Sequence, residues 1–161
     1  MNLLEILDQD LIYIDLDAKN KDEVIKKLSS TLHSKGNIDN LDEFINAVYE
    51  RESIGETGMG NQIAIPHGLT PAVKKASVAI AKLKNSVEWE SLDDEPVKLV
   101  FLIAASTDEL EKTHLQMLSQ LAAVLAYKEH INGLIKCENA DEFLQLFKSY
   151  FDEYTRRRNL A

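Results

Sequence analysis

The chain of 161 residues reads as one α/β domain, a sandwich whose mostly buried mixed sheet is packed between helices. Two observations give that class. Val97 to Ala104 (VKLVFLIA) is almost continuously apolar, the pattern of a strand covered on both faces. Helical patterns also lie between and after the strand-like segments instead of forming a separate block. No internal repeat, low-complexity segment or linker divides the chain. Residues 1–150 are expected to form the domain and 151–161 a charged C-terminal tail.

In chain order, alternation over Leu11-Ile12-Tyr13-Ile14-Asp15-Leu16 predicts a first strand. Asn20 with Glu23 resembles a capping box, and Val24, Leu28 and Leu32 form the apolar stripe of a helix ending near Gly36. Asn40 opens a second helix with Phe44, Ile45 and Val48 inward and Arg51 near its last turn. Ile63 to Ile65 and Ser77 to Leu83 read as strands. A long helix with Leu118, Leu121 and Leu125 at helical spacing follows the VKLVFLIA strand. Gly133 is expected to separate it from shorter helical pieces, the last carrying Phe143, Leu146, Phe147 and Tyr150.

Composition excludes several classes. No run of about 18 apolar residues is present, so no membrane-spanning helix is expected. The first residues, MNLLEILDQDLIYIDL, carry acids where a signal peptide needs bases, which argues against export. One cysteine, Cys137, makes no internal disulfide, suits a reducing cytoplasm, and reads as packing. A net charge of −9 argues against a nucleic-acid partner. The basic run Arg156 to Arg158 reads as a solvated tail in preference to a binding patch.

Most of the functional information lies in Arg51 to Gly68 (RESIGETGMGNQIAIPHG). Gly58 and Gly60 permit positive φ and close approach to a ligand, and the amides of Gly58, Met59 and Gly60 are candidates for an anion-binding concavity. Pro66 donates no amide, so strand pairing is expected to stop there, leaving His67 exposed at a strand end. A neutral imidazole can accept a phosphoryl group, coordinate a metal or act as acid and base. His114 shares a helical face with Leu118, Leu121 and Leu125, which fits a core-edge histidine. Thr113 with Gln116 also reads as a capping pair that places His114 in the first turn, where the helix dipole favours an anion. A helix starting near Thr107 would move His114 further in. Arg51 either satisfies a helix C-terminus or faces phosphate oxygens with its planar fork. Ile54, Met59 and Leu69 beside this segment form a candidate contact patch, with a core place for Ile54 as the alternative. A metal-dependent hydrolase using His33, His67, His114 and His130 is the competing chemistry, but their spacing matches no compact metal motif.

Taken together, Arg51-Glu52, Thr57-Gly58-x-Gly60, Ile63-Ala64-Ile65-Pro66-His67-Gly68 and His114-Leu115-Gln116 resemble the IIA domain of the fructose/mannitol class of the bacterial phosphoenolpyruvate:sugar phosphotransferase system. The likeness extends over about the first 150 residues, including Ser91-Leu92-Asp93 and Phe101-Leu102-Ile103-Ala104-Ala105. It implies a mixed sheet of about five strands flanked by helices on both faces. It also implies His67 as phosphoryl acceptor, through Nε2, with Arg51 and His114 in support and neither metal nor organic cofactor. The implied partners are transient: phospho-HPr as donor and the cysteine of a IIB domain as acceptor, with the membrane reached only through IIC. The implied role is uptake of a fructose-type sugar. The alternative is a regulator of the nitrogen-type branch that acts by protein binding without transport. The chain carries no IIB, IIC or HPr segment and is expected to work as a separate soluble subunit.

Overall fold

The computed structural model describes residues 2–108 and 113–160. After a short helix α1 (Leu3–Ile6) and a single 3-10 turn (Gln9–Leu11), the elements are β1 (Ile12–Leu16), α2 (Lys21–Ser34), α3 (Leu41–Ile54), β2 (Gly58–Gly60), β3 (Ile63–Ala64), β4 (His67–Leu69), β5 (Ser77–Val87), β6 (Val97–Ala105), α4 (Thr113–Val124), α5 (Lys128–Ile135) and α6 (Ala140–Leu160). The strands form one mixed sheet of order β1-β5-β6-β3-β2, and β4 also pairs with β6. β1 runs parallel to β5, β5 antiparallel to β6, and β3 and β4 parallel to β6.

β3 and β4 are two halves of one strand. Ile63 and Ala64 pair with Leu99 and Val100, and His67 to Leu69 pair with Ile103 to Ala105. Pro66 does not end the ladder as expected. It lacks a donor, but its carbonyl accepts from the Ile103 amide at 2.9 Å, and pairing resumes at His67. Counted as one broken strand, these halves reconcile the expected five strands with the six observed.

The central strands alternate between two cores. Val78, Ile80, Leu99, Phe101 and Ile103 pack against α4, α5 and α6, whereas Ala79, Ala81, Val100, Leu102 and Ala104 pack against α2 and α3. Small residues on the second face let α2 and α3 lie close to the sheet. Both helices begin at asparagine caps: Asn20 accepts from the Glu23 amide and Asn40 from the Glu43 amide. The expected capping box is only partly formed, because the Glu23 carboxylate takes the Lys19 amide at 2.5 Å and not that of Asn20.

Three expectations are corrected on the α4–α6 side. Gly133 lies inside α5, and the break after α4 falls before Lys128. A Cβ at Gly133 would come within 2.2 Å of the Tyr150 hydroxyl oxygen, so this glycine admits α6 and does not end a helix. Thr113 is already helical and is not a cap. Thr107 lies in a turn, and the chain between the two proposed starts, 109–112, lies outside the described residues. Arg156 to Arg158 are exposed, as a solvated run should be, but residues 151–160 are no separate tail: they continue α6 with Phe151 buried and Tyr154 packed on the core. Cys137 is buried in this core, as a packing residue should be.

Candidate functional site

His67 is the first residue of β4, held in register with Ile103 of the central strand. The next residue, Gly68, faces α3 so closely that a Cβ there would fall 2.3 Å from Phe44 Cε1. Glycine at this position therefore brings α3, and Arg51 in its last turn, close to the strand that carries His67. The sequence places His67 on an exposed strand end, but the structure leaves only 7% of it accessible. Continuation of the ladder through Pro66 and close packing of α3 explain the difference.

Burial pushes the imidazole down to about 4; the positive charge of Arg51, then that of His114, adds to the depression, and the Ile65 carbonyl opposes it. The structure thus brings together the three residues that sequence assigned to one site. His114, in the first described turn of α4, is half-buried. Arg51 is anchored by a hydrogen bond from Nη1 to the Gly55 carbonyl at 3.1 Å, just beyond the helix end. Nδ1 of His67 is buried with no hydrogen-bond partner among the described residues. At neutral pH the ring is uncharged and carries a free nitrogen lone pair. The Arg51 guanidinium that disfavours the imidazolium favours a dianionic group on that ring.

Gly58, Met59 and Gly60 do not join this site. Gly58 pairs with Ala64 and Gly60 with Ile63, both upstream of His67 in the broken strand. At about 3.3 Å per residue they lie roughly 10–13 Å from it along the sheet. The Gly58 amide is donated to the Glu90 carbonyl at 3.1 Å, and a Cβ there would strike Ser91 at 2.4 Å. Gly60 has the expected positive φ of 84° but sits beside the Asp93 carboxylate, which accepts from the Asn61 amide at 2.9 Å. A carboxylate there repels phosphate. Close packing, not anion binding, accounts for these glycines. Because the Ile65 amide bonds the Thr57 carbonyl, the stretch running beside His67 is Gly55 to Thr57.

Sequence reading missed the brace behind Arg51. Lys21, the first residue of α2, bonds Glu52 and Glu90, each at 2.6 Å, and stands 5.2 Å from the centre of the Trp89 ring. Burial alone would lower the Lys21 ammonium, but the two carboxylates outweigh it and hold it above its ordinary value. Trp89 in turn donates to Thr57 Oγ1 at 3.0 Å. No local signal links Lys21 to Glu52, since the pairing depends on how α2 and α3 cross.

Of the remaining histidines, His33 lies in α2 and His130 in α5, on opposite faces of the sheet. Among the described residues no group of three or more His, Cys, Asp or Glu side chains is placed to hold a metal ion. Nor is any described helix long and apolar enough to cross a membrane.

The family described as "Phosphoenolpyruvate-dependent sugar phosphotransferase system, EIIA 2" matches residues 5–150. The fructose-specific EIIABC component of Bacillus subtilis is 33% identical over 93% of this chain, which spans 24% of that protein's length. The mannitol-specific IIA component of Staphylococcus aureus is 30% identical over 89% of this chain and 96% of its own. Among solved structures, the nitrogen regulatory IIA protein of Neisseria meningitidis superposes with a TM-score of 0.82 at 26% identity, covering 90% of this chain and 98% of that one. The mannitol IIA of Escherichia coli, in its complex with phosphorylated mannitol IIB, superposes with a TM-score of 0.76 at 27% identity, covering 89% and 97%. The chain belongs to the EIIA type 2 family of the phosphoenolpyruvate-dependent sugar phosphotransferase system.

Proposed function

We propose that the chain is a IIA phosphocarrier, a phosphotransferase component in which His67 accepts a phosphoryl group from phospho-HPr and passes it to a IIB cysteine. The observation that carries this reading is the His67 ring, neutral at physiological pH and set beside the Arg51 guanidinium and the His114 ring. With Nδ1 enclosed, Nε2 is the nucleophile. Its lone pair forms the P–N bond as the bond to the donor histidine breaks. The same nitrogen then leaves as the IIB thiolate takes the phosphorus. Transfer of this kind rests on positioning and charge stabilisation, which the Arg51 fork and the His114 ring supply. The cycle needs no metal or organic cofactor and runs in the cytoplasm, ending in phosphorylation-coupled uptake of a fructose-type sugar through IIB and IIC.

Incubation with enzyme I, HPr and labelled phosphoenolpyruvate tests this. The expected product is an acid-labile, alkali-stable phosphate, absent in His67→Ala. Arg51→Gln and His114→Ala are expected to fold normally and slow transfer to IIB by roughly 100- to 1,000-fold, the scale for loss of one charge-stabilising donor. Failure to label under conditions that charge a control IIA sinks the proposal. The close superposition on the nitrogen regulatory protein supports a second reading, in which phospho-His67 changes protein binding without sugar transport. Discharge to a sugar through candidate IIB and IIC partners separates the two.

A further inference from the structure

The basic run Arg156 to Arg158 is not explained by phosphoryl transfer at His67. It lies in the last part of α6, beyond residue 150 where the family match ends. There α5 and α6 enclose a cavity of about 210 Å³ lined by Tyr127, His130, Glu153, Tyr154, Arg157 and Arg158. The aromatic groups are ordered against one another. His130 stacks on Tyr150 with centroids 3.9 Å apart and planes at 17°, and Tyr127 sits 5.0 Å from His130. The Arg157 guanidinium lies 5.6 Å from the centre of the Tyr127 ring. Nδ1 of His130 is 2.6 Å from the Val124 carbonyl. A carbonyl only accepts, so Nδ1 carries the proton and Nε2 is left toward Glu153, 4.0 Å away.

Charge in the lining is unbalanced. Arg157 bonds Glu153 through Nη2 at 2.6 Å and reaches the Tyr127 hydroxyl through Nη1 at 3.4 Å. Arg158 reaches the Tyr154 hydroxyl at 3.4 Å. Two guanidiniums thus face one carboxylate, giving a local positive excess in a chain of net charge −9. Ion pairs at such exposure contribute about 0–1 kcal/mol, so stability alone gives little reason to gather these groups.

We propose that this cavity is a second binding site, taking a small organic anion with a flat apolar body. Its volume exceeds the roughly 150 Å³ of a cavity that holds benzene, so a single-ring molecule fits. The part-exposed Tyr127 and Tyr154 rings offer apolar contact to a flat ring. Guanidinium forks match a carboxylate in a plane and with directed hydrogen bonds. The site is independent of phosphate on His67.

The test is ¹H–¹⁵N NMR titration of the full chain with sodium benzoate, compared with benzamide (the ring without the charge) and inorganic phosphate (the charge without the ring). Saturable shifts are expected at Tyr127, His130 and Tyr154, with benzoate binding at least tenfold tighter than either comparator. Affinity is expected to fall at least tenfold in the Arg157→Gln/Arg158→Gln double variant and in Tyr127→Ala, and to be unchanged in His67→Ala. Absence of saturable shifts in this region overturns the proposal. So does equal affinity for benzamide or phosphate, undiminished binding in either pocket variant, or loss of binding in His67→Ala.

Discussion

At the scale of single residues, the chemistry turns on what surrounds one imidazole. His67 is depressed to about 4 because burial and two positive neighbours oppose its proton. In the unfolded chain the same ring titrates near 6.5. Between these values the unfolded state binds more protons, so His67 contributes stability that is complete above pH 6.5 and is lost as pH falls toward 4. Integrating over that interval, the His67 contribution falls by about 2 kcal/mol between pH 7 and pH 4.5. Carboxylates titrate in the same range, so the measurement is a difference. Denaturant unfolding of wild type and His67→Gln at both pH values should show wild type losing about 2 kcal/mol more than the variant. Parallel losses would mean that the ring is neither buried nor crowded by charge. Protonation of His67 should likewise not limit phosphoryl transfer down to about pH 5, since the ring remains neutral.

At the scale of elements, legibility in the sequence followed the range of the cause. Asn20 and Asn40 marked two helix starts because a cap acts over three residues. Val97 to Ala104 marked the central strand because burial on both faces leaves an unbroken apolar run. Pro66, Gly133 and Gly58 misled for a shared reason: their neighbours across space decide their roles. Pro66 is kept in the ladder by Ile103, Gly133 yields to Tyr150, and Gly58 yields to Ser91 and Glu90. Gly68 is the sharpest case, and it is testable. A methyl there would lie 2.3 and 2.5 Å from Cε1 and Cζ of Phe44, a fully buried ring. Gly68→Ala should cost about 1–3 kcal/mol, read as a lower denaturant midpoint at unchanged slope. Truncating the obstacle in Phe44→Leu/Gly68→Ala should return part of that loss, so the double variant is less destabilised than the sum of the singles. Strict additivity would show that α3 does not press on β4. Because α3 carries Arg51, Gly68→Ala should also slow phosphoryl transfer more than its stability loss accounts for.

At the scale of the whole molecule, the proposed cycle adds about −1.5 to −2 further charges to a strongly acidic chain. Its distant acidic residues are screened beyond roughly 10 Å of salt solution, so Arg51 and His114 dominate the field at the ring. A partner must still be held over a ring that is only 7% exposed. Two exposed apolar residues stand where such contact is needed. Ile54, at the end of the helix that carries Arg51, is 78% exposed, which rules out its alternative place in the core. Leu115, beside His114 in α4, is 49% exposed; the sequence marks it as part of the His114-Leu115-Gln116 motif but not as a contact residue. Met59 is also exposed, but the register of β2 carries it away from His67. Ile54→Ser and Leu115→Ser remove only part-buried side chains, so each should cost no more than about 1 kcal/mol of stability. Each should raise KM for the phosphoryl donor several-fold with little change in kcat, because docking weakens while the reacting groups stay in place. Leu92→Ser, beside Ser91 and Gly58 at the far end of the strand pair, should change KM by less than about twofold. If Leu92→Ser weakened transfer as much as Ile54→Ser, the docking face would have to be recentred on the glycine strand, leaving Ile54 and Leu115 at its margin.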